Sequence, residues 1–256
     1  MKVKHPVKMI VTDLDGTLLR TDKSISERTI AVLNQCRKAG IKVVCATGRG
    51  ASAEKVAPLE LFDARITQNG GLIVMGNKIV SISLINHKAA RPFLMACDKK
   101  MLKTVSETGG IHYTNFDCDT EWPGSGIKFK IVDFSQHDMD AEKLCVLINN
   151  PEEAQFVESH LPEELYLSLA RDGLGMIMNR DATKAKALTC LARIWNIEPG
   201  EIAAFGDDQN DIDMLQYAGI GVAMGNALAE VKAAADYICQ SNDEDGLAEW
   251  ITNTLL

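Results

Sequence analysis

Short continuous apolar runs alternate along the chain with longer stretches in which apolar residues recur at helical spacing. Residues 7–12 and 41–46 are predicted to be buried strands, and a helix from about Ser26 to Ala39 is predicted between them. Gly40 stands where a helix typically ends. Strands without a polar face that alternate with helices are typical of a parallel sheet with helices on its faces. The pattern therefore predicts an α/β fold.

The pattern changes after about Ile82. Residues 87–108 are predicted to be helical, and Lys128–Phe134 alternates in the manner of a half-exposed strand. A strand, a helix that opens on a proline and a final pair of strands are predicted to follow: residues 143–148, 151–161, 165–169 and 174–178. Because such alternation is typical of an antiparallel sheet with one covered face, residues 82–181 are expected to form a separate α+β module.

The first pattern resumes at Lys184. Apolar residues at helical spacing run from Ala187 to Trp195, and short apolar strands are predicted at residues 202–205 and 220–223. The core domain is therefore expected to be discontinuous. We predict a Rossmann-like parallel-sheet core made of residues 1–81 and 182–256, with residues 82–181 inserted as an α+β domain.

Composition limits the classes of partner. The formal net charge of −8 over 256 residues argues against a nucleic-acid or anionic-membrane surface, since phosphate backbones attract clusters of Lys and Arg. The seven cysteines are scattered without a Cys-x-x-Cys pair, so they are interpreted as small buried apolar groups in a reducing compartment, and zinc is not expected. No apolar run is long enough for a signal peptide or a membrane span. We expect a cytoplasmic protein, monomeric or a small homo-oligomer, with neither nucleic acid nor a membrane as partner.

Two carboxylates follow the first predicted strand, in the segment Asp13-Leu14-Asp15-Gly16-Thr17. Side chains alternate faces along a strand, so Asp13 and Asp15 are expected to converge while Leu14 points to the other side. Two close carboxylates both stay ionised only beside a cation, and otherwise one of them keeps a proton. Either state suits phosphoryl transfer: with Mg2+ present, Asp13 could attack phosphorus while a protonated Asp15 gives its proton to the departing oxygen.

Polar residues also follow the second predicted strand. Thr47 and Gly48 offer a hydroxyl and a flexible amide at a strand-to-helix turn, which is a natural seat for phosphate oxygens, although a plain helix cap has the same pattern. Lys184 begins the helix after the insertion. Taken alone, a lysine there is typical of a solvated surface charge.

A third polar segment, residues 206–211, follows the strand at 202–205. Asp207 is the preferred candidate for a Mg2+ ligand, because Mg2+ is usually held by one or two carboxylates together with waters and substrate oxygens. Asp211 is expected to assist at the metal or to cap a helix, and Asn210 to donate to phosphate.

The order of these segments is informative. Asp-x-Asp-Gly-Thr at residues 13–17, Thr-Gly-Arg at 47–49, the lysine at 184 and Gly-Asp-Asp-x-Asn-Asp at 206–211 closely resemble the haloacid dehalogenase superfamily of phosphohydrolases. The long insertion before the lysine, Asn69-Gly70 ahead of it, and the segments 221–227 and 241–246 resemble the Cof-type branch, class IIB, which carries a large α+β cap.

This resemblance implies a role for each matching residue. Asp13 would be the nucleophile that forms an aspartyl-phosphate, and Asp15 the general acid that later activates water as a base. Mg2+ would be held by Asp13, Asp207 and the backbone carbonyl of Asp15, with support from Asp211. The phosphoryl group would be bound by the backbone amide of Leu14 and by Thr47, Gly48, Lys184 and Asn210.

Two features qualify the comparison. Relatives usually carry Gly after the motif lysine, where this chain has Ala185, and Lys186 is a weaker substitute because it falls on a different helix face. Trp122 and the loop around Arg171 and Asp172 are candidate specificity residues of the cap, since loops that face a cleft set substrate choice.

The resemblance implies a Mg2+-dependent phosphatase that hydrolyses a small phosphorylated metabolite, with a sugar phosphate as the first candidate. Two alternatives stay open. One is a phosphomutase that shares the aspartyl-phosphate step and passes the group to a second hydroxyl. The other is a catalytically silent binding or regulatory module that uses the same cleft.

Overall fold

The computed structural model describes residues 6–169 and 173–256. Its strands are β1 Met9–Thr12, β2 Lys42–Ala46, β3 Ala64–Thr67, β4 Leu72–Met75, β5 Lys78–Ile82, β6 Thr104–Thr108, β7 Ile111–Thr114, β8 Phe129–Ile131, β9 Lys143–Leu147, β10 Leu165–Leu169, β11 Leu174–Asn179, β12 Ile202–Gly206, β13 Ile220–Ala223 and β14 Tyr237–Ile238. Its α-helices are α1 Glu27–Lys38, α2 His87–Lys99, α3 Cys118–Glu121, α4 Pro151–His160, α5 Lys184–Trp195, α6 Ile212–Tyr217, α7 Ala229–Ala234 and α8 Gly246–Thr254.

One compact unit is built by the residues up to Ser81 and from Thr183 onward. Its sheet has eight strands in the order β14-β13-β12-β1-β2-β3-β4-β5, parallel from β14 to β3 and antiparallel between β3 and β4. Strands β1, β12 and β13 are buried along their whole length. Helix residues such as Leu33, Leu191 and Ile251 complete one apolar core with them. The predicted α/β fold with a parallel-sheet core is confirmed.

Three neighbouring strands of this sheet, β12, β1 and β2, position the polar segments. They are parallel, and Thr12 at the end of β1 is aligned with Phe205 on one side and Cys45 on the other. The residues that follow them therefore leave the sheet at one edge, which is where open α/β sheets bind ligands.

The other compact unit is Ile82–Ala182. Its six-stranded sheet has the order β10-β11-β9-β6-β7-β8 and is antiparallel except between β7 and β8. Phe93 of α2 and Val157 of α4 pack with Leu144 and Val146 of β9 in its apolar core. Helices and an antiparallel sheet in one unit agree with the α+β character predicted for this part of the chain.

Residues 87–108 do not form a single helix, so that prediction was wrong. Helix α2 ends at Lys99, and Met101 adopts a left-handed backbone with φ 60, which a right-handed helix cannot contain. Beyond it, Thr104 and Val105 pair with Val146 and Cys145 of β9. Their β-branched side chains suit this pairing, which wins over the apolar spacing that had suggested a helix.

Other differences concern short strands. The strand predicted over residues 128–134 is only Phe129–Ile131, and β3, β4, β5, β7 and β14 were not predicted. Strand β5 is exposed throughout, so it lacks the buried apolar face on which the prediction depended. Among the described residues, no helix combines the length and the apolar character needed to cross a bilayer.

Candidate active site

The site lies where β12, β1 and β2 end. Asp13 follows β1, and its backbone amide donates to the carbonyl of Phe205 at 3.0 Å. Asp207 follows β12, and Thr47 follows β2. All three side chains belong to residues that are buried. The structure thus brings together three segments that are up to 194 positions apart (207 − 13) in the sequence.

Lys184 joins the segments electrostatically. Helix α5 begins at this residue, behind Thr183, whose hydroxyl accepts from the amide of Lys186. The ammonium of Lys184 donates to Oδ1 of Asp13 at 2.7 Å and to Oδ1 of Asp211 at 2.6 Å. Only 2% of Lys184 is exposed, so it is not the surface lysine that its sequence context alone would suggest.

These contacts influence the pKa values of Lys184 and Asp13. Burial favours the neutral form of Lys184, but Asp13 and Asp211 outweigh it and raise its pKa. Burial raises the pKa of Asp13 well above its ordinary value; Lys184 opposes this effect, while Asp211 adds to it. One ammonium therefore faces several carboxylates in a dry site, and its proton is firmly held.

The two carboxylate oxygens of Asp211 accept hydrogen bonds from different groups. One of its oxygens accepts from Lys184, and the other accepts from the backbone amides of Asp207 at 3.0 Å and Asp208 at 3.1 Å. The sequence had left capping and site chemistry as alternatives for Asp211. The geometry shows that this carboxylate caps the turn and also contacts the site lysine.

The carboxylates of Asp13, Asp207 and Asp211 offer oxygens that all lie within 4.8 Å of one another. Burial, and then the charge of Asp211, raise the pKa of Asp207 to about 6. Three buried carboxylates carry more negative charge than one lysine neutralises, and carboxylate oxygens are the donors that hard divalent cations prefer. The residues present therefore fit a Mg2+ ion.

Gly16 and Thr17 shape the space around Asp207. The hydroxyl of Thr17 donates to Oδ1 of Asp207 at 2.9 Å. Gly16 has φ 80, and a Cβ atom at this position would lie 2.3 Å from Oδ2 of Asp207. The glycine of the first motif is thus required twice, for a left-handed turn and for the approach of the carboxylate.

The carboxylate of Asp15 has other partners. It accepts from Nε of Arg49 at 2.5 Å, from Nη2 of Arg49 at 2.7 Å and from Nζ of Lys23 at 2.8 Å. Burial alone would raise its pKa, but Arg49 and Lys23 outweigh burial and lower it. Strand β1 ends at Thr12, so Asp13 and Asp15 both lie beyond the strand whose alternation was the reason to expect their side chains on one side.

The predicted phosphate seat is assembled from the same edge. The hydroxyl of Thr47 accepts from the amide of Arg49 at 3.1 Å. Gly48 and Asn210 both lie against the side-chain amide of Asn69, and Nδ2 of Asn210 donates to Oδ1 of Asn69 at 2.7 Å. Leu14 buries its side chain completely, which leaves only its backbone for a ligand.

Several predictions concerned other positions. Ala185 does not displace Lys184 from the carboxylates, and Lys186 is exposed. Trp122 of the second unit is half-buried and contacts Phe116 edge-on, with ring centroids 5.4 Å apart. Arg171 and Asp172 lie outside the described residues.

Four residues with contacts at the site described above were not assigned a role from the sequence: Thr17, Lys23, Arg49 and Asn69. Thr17, Arg49 and Asn69 did lie in the motifs that carried the resemblance, as the last residue of Asp-x-Asp-Gly-Thr, the last of Thr-Gly-Arg and the first of Asn-Gly. Membership of these motifs was the sequence signal that could have assigned them a role at the site. Lys23 gave none, because an exposed lysine in a turn is ordinary.

The fold and the site define a class of protein, a phosphoryl-transfer enzyme with a parallel-sheet core and a buried aspartate–lysine centre. Residues 10–251 match the family model of haloacid dehalogenase-like hydrolases. The chain belongs to this family, as its motifs had indicated, and it is a phosphatase.

Relatives of known name agree. The 5-amino-6-(5-phospho-D-ribitylamino)uracil phosphatase YcsE of Bacillus subtilis is 31% identical over 98% of this chain and 96% of its own length. Phosphatase YwpJ of the same organism is 29% identical over 97% of this chain and 100% of its own. A solved phosphatase from Bacteroides thetaiotaomicron matches with a TM-score of 0.86 at 27% identity, over 98% of this chain and 96% of that one. A solved sugar phosphatase of subclass IIB matches with a TM-score of 0.83 at 26% identity, over 96% and 98%.

Proposed function

We propose that this phosphatase hydrolyses a small phosphorylated metabolite, with sugar phosphates as the first class, through an aspartyl-phosphate on Asp13. The contact between Lys184 and Asp13 carries the proposal. It places a buried cation on a single oxygen of a carboxylate at the ligand-binding edge of the sheet. A structural ion pair has no need of this location, whereas a phosphoryl-transfer centre does.

In the first step Asp13 attacks phosphorus. Its Oδ1 is held by Lys184, so Oδ2 forms the new bond to phosphorus while the bond from phosphorus to the leaving oxygen breaks. Asp15 gives a proton to that oxygen, which departs as an alcohol. In the second step Asp15 takes a proton from water, the water oxygen attacks phosphorus, and the bond to Asp13 breaks to release inorganic phosphate.

The remaining site residues would bind and orient the phosphoryl group and the metal ion. Thr47, Gly48, Lys184, Asn210 and the backbone amide of Leu14 would hold the oxygens of the phosphoryl group, where fixed donors stabilise developing negative charge. Asp13, Asp207 and the carbonyl of Asp15 would hold Mg2+, with Asp211 in support. The ion would supply further positive charge to the phosphoryl oxygens.

The substrate class is supported by relatives. A related structure is named a sugar phosphatase, and YcsE is named for a substrate with a phosphorylated ribityl chain. Both names describe a phosphate ester on a polyhydroxylated carbon chain. We propose the same class here, with the unit Ile82–Ala182 as the cap that selects the leaving group and Trp122 among its candidate residues.

The test is phosphate release from sugar phosphates, nucleotides, pyridoxal phosphate and an aryl phosphate, each with Mg2+ or with EDTA. We expect release by the wild type with Mg2+ alone, and a loss of at least about 10³-fold in Asp13→Asn. Asp213→Asn, at an exposed carboxylate of α6, is the matched control and should keep full activity.

Each part of the proposal can fail separately in this assay. Near-wild-type turnover by Asp13→Asn would refute the nucleophile, and undiminished turnover in EDTA would refute the metal. Isomer formation on addition of a bisphosphate, without net phosphate release, would indicate the phosphomutase. Folded protein that is inactive on every compound, and on every isomer pair, would favour the silent module.

A further inference from the structure

The turn between β3 and β4 has an unusual backbone. Three consecutive residues have positive φ, with values of 54 at Gln68, 54 at Asn69 and 106 at Gly70. All three are buried. L-residues avoid this region, and asparagine tolerates it better than most. Such a conformation, held in the interior, is typical of a position where function requires it.

This turn contacts three of the segments that form the predicted phosphate seat. The amide of Asn69 donates to the carbonyl of Thr47 at 2.9 Å, and Oδ1 of Asn69 accepts from Nδ2 of Asn210 at 2.7 Å. Gly70 lies against the backbone before Lys184, since a Cβ atom there would be 2.2 Å from the carbonyl oxygen of Thr183. One turn therefore braces three segments of the site.

Gly48 packs closely against the same side-chain amide of Asn69. A Cβ atom at position 48 would lie 3.1 Å from Oδ1 and 3.3 Å from Nδ2 of Asn69, which is tighter than an ordinary contact. The side chain of Asn69 thus occupies the space that a side chain at position 48 would need. The glycine of the Thr-Gly-Arg motif and Asn69 fit one another.

The other end of the Asn69 amide is unsatisfied. Only 1% of Asn69 is exposed, and Nδ2 has no hydrogen-bond partner among the described residues. Rotating the amide of Asn69 alone would set its Nδ2 against Nδ2 of Asn210, which cannot accept a hydrogen bond, so the orientation with Nδ2 free is the one that matches Asn210 as it stands. A buried donor without an acceptor is costly, and such groups are rare in folded proteins.

We propose that Asn69 is a further phosphoryl-binding residue. Its Nδ2 donates to a non-bridging oxygen of the bound phosphoryl group, and its Oδ1 holds the amide of Asn210 in the orientation that serves the same group. This inference rests on the proposed function, because it takes phosphate as the ligand of the seat. Inorganic phosphate is the acceptor that the unsatisfied donor lacks.

Asn69→Asp is the sharpest variant. Aspartate tolerates the left-handed backbone and keeps an oxygen for Asn210, but it replaces the free donor with a charged acceptor. We expect inorganic phosphate to bind the variant roughly 10- to 100-fold more weakly in calorimetric titration, since a donor is lost and like charges meet. Turnover of the best substrate should fall as well.

Two further variants make the result interpretable. Asn69→Gly keeps the backbone and removes the whole amide, so it should also weaken phosphate binding if the aspartate variant does not fold. Asn196→Asp repeats the same substitution at an exposed asparagine with φ 52 at the end of α5, and it should bind phosphate like the wild type.

Phosphate affinity within twofold of the wild type in folded Asn69→Asp or Asn69→Gly would overturn the proposal. If the wild type binds phosphate but hydrolyses none of the panel, the proposed function is wrong. The titration of the variants with phosphate would then still test whether Asn69 binds the phosphoryl group. A wild type that binds no phosphate would overturn both.

Discussion

Both carboxylate oxygens of Asp15 accept hydrogen bonds from the guanidinium of Arg49, at 2.5 and 2.7 Å. This bidentate geometry is the strongest arrangement available to an arginine and a carboxylate. It keeps Asp15 ionised, whereas the first step of the proposed mechanism requires a proton on Asp15. We infer that Asp15 must exchange Arg49 for the leaving oxygen before it can act as an acid.

The same pair gives a dependence of stability on pH. The pKa of Asp15 is lowered in the folded protein from its ordinary value of 3.8, so the carboxylate stabilises the fold above that value, and this contribution is lost as the pH falls through the lowered pKa. Arg49→Ala should be less stable than the wild type at pH 7 by at most about 1 kcal/mol, because the pair is partly exposed. Chemical denaturation in EDTA should show the difference shrinking below pH 4.

A double-mutant cycle measures the interaction between Asp15 and Arg49 separately from other effects of the substitutions. In the Asp15→Asn background, Arg49→Ala should have little effect on the free energy of unfolding at any pH. A difference between the wild type and Arg49→Ala that persists unchanged at pH 2.5 would show that the ion pair is not its cause.

Gly16 and Gly40 form a matched pair for testing the turn beside Asp207. Both have positive φ, but a Cβ atom at Gly16 would collide with Oδ2 of Asp207, whereas nothing lies within 4 Å of one at Gly40. Alanine at either position should cost about 1–2 kcal/mol of stability from backbone strain. Only Gly16→Ala should also lose activity, by roughly 10- to 100-fold, because it displaces Asp207, the proposed metal ligand. Equal activity of the two variants would contradict this account.

Local sequence predicted some elements closely. A helix was predicted from about Ser26 to Ala39, and α1 is Glu27–Lys38; Ser26 accepts from the amide of Thr29, and Gly40 follows the helix. Strand β13 has the predicted bounds. These elements depend on capping chemistry and continuous apolar runs, which are properties of neighbouring residues.

The site is formed by contacts between residues that are far apart in the sequence. Lys184 contacts Asp13 across 171 positions, and no local property of a lysine at the start of a helix predicts that contact. Only the order of motifs, through the family resemblance, singled it out. Arg49 was missed as the partner of Asp15 because the two residues are 34 positions apart and follow different strands.

The thiols test the interpretation of the cysteines as core residues. Burial raises the pKa of Cys45 and of Cys97 to about 12 each. At pH 8 their thiolate fraction is very small, so iodoacetamide should modify both at least about 10³-fold more slowly in the native protein than in urea. Cys190, which is half-buried, should react first. Peptide mass spectrometry over time would measure the order, and early labelling of Cys45 would contradict it.

Metal binding should appear as thermal stabilisation. An ion that binds only the folded state raises the free energy of unfolding, by about 2.7 kcal/mol at a concentration a hundredfold above Kd. Mg2+ should therefore raise the Tm of the wild type, since it relieves repulsion among Asp13, Asp207 and Asp211, whose oxygens lie within 4.8 Å of one another. Asp207→Asn should lose most of that shift, while Asp213→Asn, which alters an exposed carboxylate six positions on (213 − 207), should keep it. If Asp207→Asn responded to Mg2+ as strongly as Asp213→Asn, the ion would have to bind elsewhere, and the assignment of Asp207 as a ligand would be wrong.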